Sequence, residues 1–226
     1  MFGFLPEMNE LVELMNAGGT VVYLLIILSV LVVALTLLKL VQFTLTGVYK
    51  SKGAEAAVEL YRRGRFQEAE QLLDGKKDIR SLLVRKTLKG LKSLSGKDQL
   101  DNLREEVTRD AGVRIRQLQS SLRFLELVGS LAPLLGLFGT VIGMISAFQA
   151  LENAGNEVDP SILSGGIWVA LLTTAAGLAV AMPTVTIFNY LESKIEGLIS
   201  HLDDLITRLF VAEIATPNAG TGNENA

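Results

Sequence analysis

Three threonines are the residues of this chain with the most chemistry to offer. Thr140 stands in "APLLGLFGTVIGMISAF", Ala132 to Phe148, with Gly136, Gly139 and Gly143 around it and Pro133 before it. Thr173 and Thr174 stand in "GGIWVALLTTAAGLAVAMPTVTIFNYL", among Gly166, Ala170, Gly177 and Ala181, with Pro183 following. A hydroxyl in an apolar helix can bond back to a carbonyl of its own preceding turn, or cross to a neighbouring helix. It can also face a polar lumen if several copies surround an axis, and for Thr140 both uses stay open. The two prolines free backbone carbonyls, which membranes tolerate only where protein or a water-lined cavity satisfies them again. Neither stretch contains Asp, Glu, Lys, Arg or His. Ion chemistry at depth needs an ionisable group, so an ion-moving role requires the acid to come from another chain.

Other chemistry finds little material. There is no cysteine, hence no disulfide or thiolate metal site. The single histidine, His201, reads as a surface or helix-packing residue, not a metal ligand. "GLKSLSGKD", Gly90 to Asp98, differs from a phosphate loop in its glycine spacing and in having Asp98 where Ser or Thr would hold magnesium. "GLFGTVIG" is not a dinucleotide fingerprint and follows no strand. No nucleophile with a base and an orienting group is visible, so the reading is not an enzyme.

The elements that position the threonines follow from hydropathy. Hydrophobic residues make up 49% of the 226 and charged ones only 20%, a balance that predicts an all-α membrane protein. With 6% aromatics, a girdled barrel is not expected. Three uncharged stretches reach the ~20 residues that a helix needs to cross a bilayer: Thr20 to Leu38, Leu127 to Leu151 and Ser161 to Leu191. Small residues at helical spacing mark protein-facing stripes on the second (Gly136, Thr140, Gly143, Ala147) and third (Gly166, Ala170, Thr173 or Thr174, Gly177, Ala181). The first has none, so it is expected outside, against lipid. Acids near the N-terminus and no small-residue cleavage site make the first stretch an expected anchor, not a signal peptide.

Charge sets the expected orientation. Of 21 Lys and Arg, all but Lys194 and Arg208 fall between Lys39 and Arg123. The positive-inside rule then places the middle segment and C-terminus in the cytoplasm, with the N-terminus and the "ENAGNEVDP" turn outside. The even net charge of -3 argues against a nucleic-acid partner. The expected organisation is an outer segment 1–19, span 20–46, helical cytoplasmic domain 47–126, span 127–151, outer turn 152–160, span 161–191, helical extension 192–214 and a disordered tail 215–226. Within the cytoplasmic domain, Gly53 to Leu73 is amphipathic, and "ELYRRGRFQEAEQLL" looks like half of a tetratricopeptide repeat; no second copy follows at the expected period and such units need neighbours to bury their apolar faces, so a lone helix-turn-helix is the simpler reading. A second helix is expected over Ile79 to Leu94. A third, capped by Asp98, carries Leu100, Leu103, Val107, Ala111, Ile115, Leu118, Leu122 and Leu125 as one rod into the second span. Ile195, Leu198, Ile199, Leu202, Leu205, Ile206 and Leu209 extend the third span as an amphipathic helix. The basic surface reads as topology signal and solvated helix faces, with anionic lipid or protein binding as the alternative.

On the two glycine-rich stretches and the three-span architecture, the sequence resembles the MotA/TolQ/ExbB family of ion-channel motor subunits, nearest to the ExbB and TolQ members. The resemblance implies a multi-pass protein of the bacterial inner membrane, with periplasmic N-terminus and cytoplasmic C-terminus. It also implies a homopentamer around a central pore that encloses single helices of an ExbD/TolR-like dimer. In that family a partner aspartate carries the coupling ion, H+ or alternatively Na+, and the work passes to a TonB-like or TolA-like protein. By motif, the family's polar threonines correspond to Thr140 and Thr174, and its prolines to Pro133 and Pro183; Thr173, Gly136, Gly143, Ala170 and Gly177 complete the expected pore-lining set. No cofactor or metal is implied. Where many members carry glutamate in the third span, this chain has Val169, and the added hydroxyl of Thr173 suits a hard cation such as sodium at least as well as a proton. The competing reading is a membrane scaffold that holds a single-span partner without conducting ions. A transporter with its own substrate site is disfavoured by the lack of an inverted repeat.

Overall fold

The computed structural model describes residues 19–49, 52–93, 97–153 and 160–215. Seven helices account for nearly all of them: α1 Gly19–Leu45, α2 Lys52–Arg62, α3 Phe66–Leu73, α4 Ile79–Ser93, α5 Lys97–Gln119, α6 Leu122–Asn153 and α7 Pro160–Ala215. Among the described residues there is no strand. Three helices, α1, α6 and α7, contain segments long and apolar enough to cross a membrane. The outer N-terminal segment, the tip of the 152–160 turn, the tail beyond 215 and the Ser95-Gly96 link fall on residues outside those described. The chain forms two compact units, residues 1–37 with 121–189, and 38–120 with 190–226.

The first unit is built on small residues. Leu25 of α1 meets Ala132 of α6 and Ala181 of α7 in a buried cluster, with Val21, Leu135, Ala176 and Val180 against it. Beyond Val22, Leu25 and Val32, α1 leaves most of its large apolar side chains exposed, among them Ile27, Val30, Val33 and Leu37. Such a surface is at home in hydrocarbon and would be unusual for a helix in water.

The second unit supplies the neighbours that the repeat-like helix pair lacks in sequence. Gly64, at φ 76°, turns the chain between α2 and α3 where a side chain would be strained. The amphipathic stretch 53–73 is thus two helices. Ala57, Val58 and Tyr61 of α2 and Phe66, Ala69 and Leu73 of α3 join Val84 and Leu88 of α4, Leu103 and Val107 of α5, and Leu205, Leu209 and Phe210 of α7 in one core. Of the apolar positions expected on the α7 extension, Ile195, Leu198, Leu202, Leu205, Ile206 and Leu209 are buried and Ile199 is partly exposed. His201 presents Nε2 to Glu55 Oε1 at 3.1 Å. Gly90 lies inside α4 with its Cα against Leu103, where an added Cβ would come within 2.4 Å of Cδ1. It is therefore a packing glycine, not part of a phosphate loop.

One expectation is corrected. The rod from α5 into α6 is interrupted at Ser120 and Ser121, which form a turn. The Ser120 hydroxyl donates to the Gln117 carbonyl at 3.1 Å, offering the backbone a local alternative to the helical ladder. Lys39 Nζ donates to the Leu118 carbonyl at 2.7 Å and to Gln42 Oε1 at 2.9 Å, satisfying one of the carbonyls that a helix end leaves without a partner. The side chain is only 3% exposed, so this lysine is not the solvated charge that orientation rules assume. The expected cap at Asp98 rests on a side chain outside those described.

Candidate channel-lining site

The candidate site grows from the seam between α6 and α7. The two helices run antiparallel with their small residues in register, so each step down one matches a step up the other. A Cβ added to Gly129 would meet Val185, one on Gly136 would meet Thr173, Thr174 and Gly177, one on Gly143 would meet Ala170, and one on Gly166 would meet Ala147. The closest approach to backbone atoms is at Gly177, whose added Cβ would lie 2.6 Å from the Ala132 carbonyl oxygen and 3.0 Å from Gly136 Cα. Backbone meets backbone here. In lipid, where apolar burial gives little drive for association, such approach is what holds helices together through dispersion and short polar contacts.

Within this seam the threonines separate. Thr173 is 1% exposed, and its Oγ1 donates to the Ala170 carbonyl at 2.7 Å and lies 3.3 Å from the Gly136 carbonyl. Glycine at 139 makes the room: a Cβ there would lie 2.8 Å from that hydroxyl oxygen. Thr173, expected to line a lumen, is therefore placed as an interhelical tie. Thr174 is partly exposed, with Oγ1 at 3.5 Å from the same Gly136 carbonyl, a contact at the limit of a hydrogen bond. Thr140 lies at the border of the seam, partly exposed, and donates to the Leu137 carbonyl at 2.6 Å. Its place in the expected small-residue stripe is taken by buried Gly139. Each hydroxyl keeps oxygen lone pairs after donating, so Thr140 and Thr174 can still accept a bond or ligate a hard cation from their open side.

Pro133 and Pro183 both lie inside their helices. Lacking N–H, each removes the bond to the carbonyl four residues back, Gly129 and Ala179 respectively. Gly129 has no side chain to crowd the proline ring, and Val185 packs against it. Gly136, Gly143, Ala170 and Gly177 of the expected set are seam residues. Sequence reasoning missed Gly129 and Thr184. Thr184 is fully buried and donates to the Val180 carbonyl at 2.6 Å. The spacing of Gly129 from Pro133 was the available signal for the first.

Residues 76–204 match the model of the MotA/TolQ/ExbB proton channel family. Biopolymer transport protein exbB1 of Vibrio cholerae is 30% identical over 93% of this chain and its own full length. The chain belongs to this family. Pseudomonas putida ExbB is 28% identical over 72% of the chain and 50% of its own length, and the Tol-Pal system protein TolQ of Pseudomonas aeruginosa is 38% identical over 44% of each. The matched segment covers α4 through most of α7, so it contains the whole α6–α7 seam and every threonine considered above. Membership makes the chain a subunit of a proton-channel type of energy-transducing membrane system.

Proposed function

We propose that this chain is the channel-forming subunit of an inner-membrane ion-driven motor. With an ExbD/TolR-type partner it converts proton motive force, or alternatively sodium motive force, into work for a TonB-like or TolA-like protein. Several copies, five by the family resemblance, surround single-span partner helices, with the N-terminus periplasmic and the C-terminus cytoplasmic. The observation that carries the reading is chemical. The seam helices hold partly exposed hydroxyls at Thr140 and Thr174, and from Leu127 to Leu151 and Ser161 to Leu191 they hold no acid. A wall of this kind can coordinate an ion that another group carries, and it cannot itself bind and release a proton near neutral pH.

In this reading the partner's aspartate brings the ion to the Thr140 and Thr174 oxygens, and Thr173 keeps α6 and α7 in register while the aspartate moves past. The test compares proton and sodium flux in liposomes holding chain and partner, wild type against a Thr140→Val, Thr174→Val double variant. Loss of flux with the oligomer intact is the expected result. One observation favours the scaffold alternative: all three threonines donate to main-chain carbonyls. Loss of assembly in the double variant would assign both hydroxyls to packing and support that reading.

A further inference from the structure

Between α1 and α7, away from the α6–α7 seam, lies a groove of about 240 Å³. Its walls include Ser29, Val32 and Thr36 of α1 and Ala179, Pro183 and Thr184 of α7. Most of this lining is apolar, which suits its position in the uncharged parts of both helices. Its polar content does not fit a dry pocket. Thr36 Oγ1 is buried and has no hydrogen-bond partner among the described residues. Several threonines of the same helices donate to a carbonyl of their own preceding turn: Thr44 to Val41, Thr184 to Val180 and Thr186 to Met182. Thr36 forgoes that bond although its helix offers it.

The opposite wall supplies the complement. Pro183 has no N–H, so the carbonyl of Ala179, another lining residue, loses its helical donor. A buried hydroxyl left unpaired is destabilising, and an open carbonyl adds to that. Neither acyl chains nor apolar side chains can recover this. Water can: a site needs two to four polar partners and about 30 Å³ per molecule. The groove has the volume for more than one, with the Ser29 oxygen as a further partner.

We propose that the α1–α7 groove is an intramembrane water-binding site, in which water accepts from the Thr36 hydroxyl and donates to the Ala179 carbonyl. The site ties α1 to the irregular turn of α7 through exchangeable bonds, so α1 is more than a lipid-facing anchor. The proposal rests on the membrane placement of these helices and is independent of whether the chain conducts ions.

The test uses water itself as probe. The full chain with its partner, in lipid nanodiscs, is exposed to X-ray radiolysis, which makes hydroxyl radicals from water at the spot where it is bound. Val32, only 5% exposed, and Ile187 line the groove, while Val30 and Leu31 face outward at a similar depth. The expected result is oxidation of Val32 and Ile187 several-fold faster than Val30 and Leu31. It falls to the control rate in Thr36→Val and is retained in Thr36→Ser. Equal rates at groove and control positions in the wild type would overturn the proposal and leave the groove to an acyl chain or a second copy. Undiminished groove oxidation in Thr36→Val would overturn it as well.

Discussion

At the scale of single residues, the seam glycines and the three threonines make different kinds of contribution. Gly177→Ala forces a methyl against the Ala132 carbonyl and Gly136 Cα, both backbone atoms that cannot turn aside. Overpacking of this sort costs about 1–3 kcal/mol, so thermal unfolding in detergent should shift down clearly. Gly165→Ala, with nothing within 4 Å of the added carbon, should stay within ~0.5 kcal/mol of wild type. Thr173→Val should lower both stability and flux, since it removes the hydroxyl's bond to the Ala170 carbonyl and its contact with the Gly136 carbonyl across the seam, and Thr173→Ser should recover both. Thr140→Val should lower flux with little change in melting temperature. The sequence made the small-residue stripes legible because helical spacing and residue size suffice to find a face. It could not divide the labour between Thr140 and Thr173, since the two positions look alike until a facing glycine, Gly139, takes one hydroxyl into the seam.

At the scale of elements, junctions matter more than helix interiors. Lys39 holds the end of α5 through the Leu118 carbonyl where the chain breaks at Ser120 and Ser121. Lys39→Met should cost about 1–3 kcal/mol by leaving that carbonyl buried and unpaired, and should raise the rate of proteolysis at the serine pair. In the second unit, hydrogen bonds that the Lys86 ammonium donates to the Asp110 and Glu106 carboxylates hold its pKa above the ordinary value of 10.5. Burial, then the bond to Glu213, pushes the Tyr61 phenol above 10.0. A group whose pKa is raised on folding contributes its stability below the unfolded value and loses it as pH climbs through the folded one. Unfolding followed by circular dichroism should therefore show stability weakening above about pH 10, with a shallower decline in Tyr61→Phe. Helix periodicity made α4, α5 and the α7 extension legible as helices, but it ran α5 straight on into α6. The serine break was not readable, because local hydroxyl bonding competes with the helix only weakly and tertiary contacts decide the outcome. The neighbours of the α2–α3 pair were hidden for a simpler reason: they come from helices far away in sequence.

At the scale of the whole molecule, two units divide the work along the chain. One is a set of lipid-compatible helices joined by backbone proximity, and the other a conventional apolar core fringed by ion pairs. Many of those pairs are surface contacts such as Arg63 with Glu59 and Arg208 with Asp204, each worth little. They fit a solvated exterior better than a dedicated anion site. The central claim of the account is that the wall comes from this chain and the moving charge from another. Proton flux into liposomes under an imposed gradient tests it most directly, comparing this chain alone, the chain with its single-span partner, and the chain with a partner whose intramembrane aspartate is replaced by asparagine. The account predicts flux only for the second. Flux from the chain alone, or flux that survives the aspartate replacement, would contradict it.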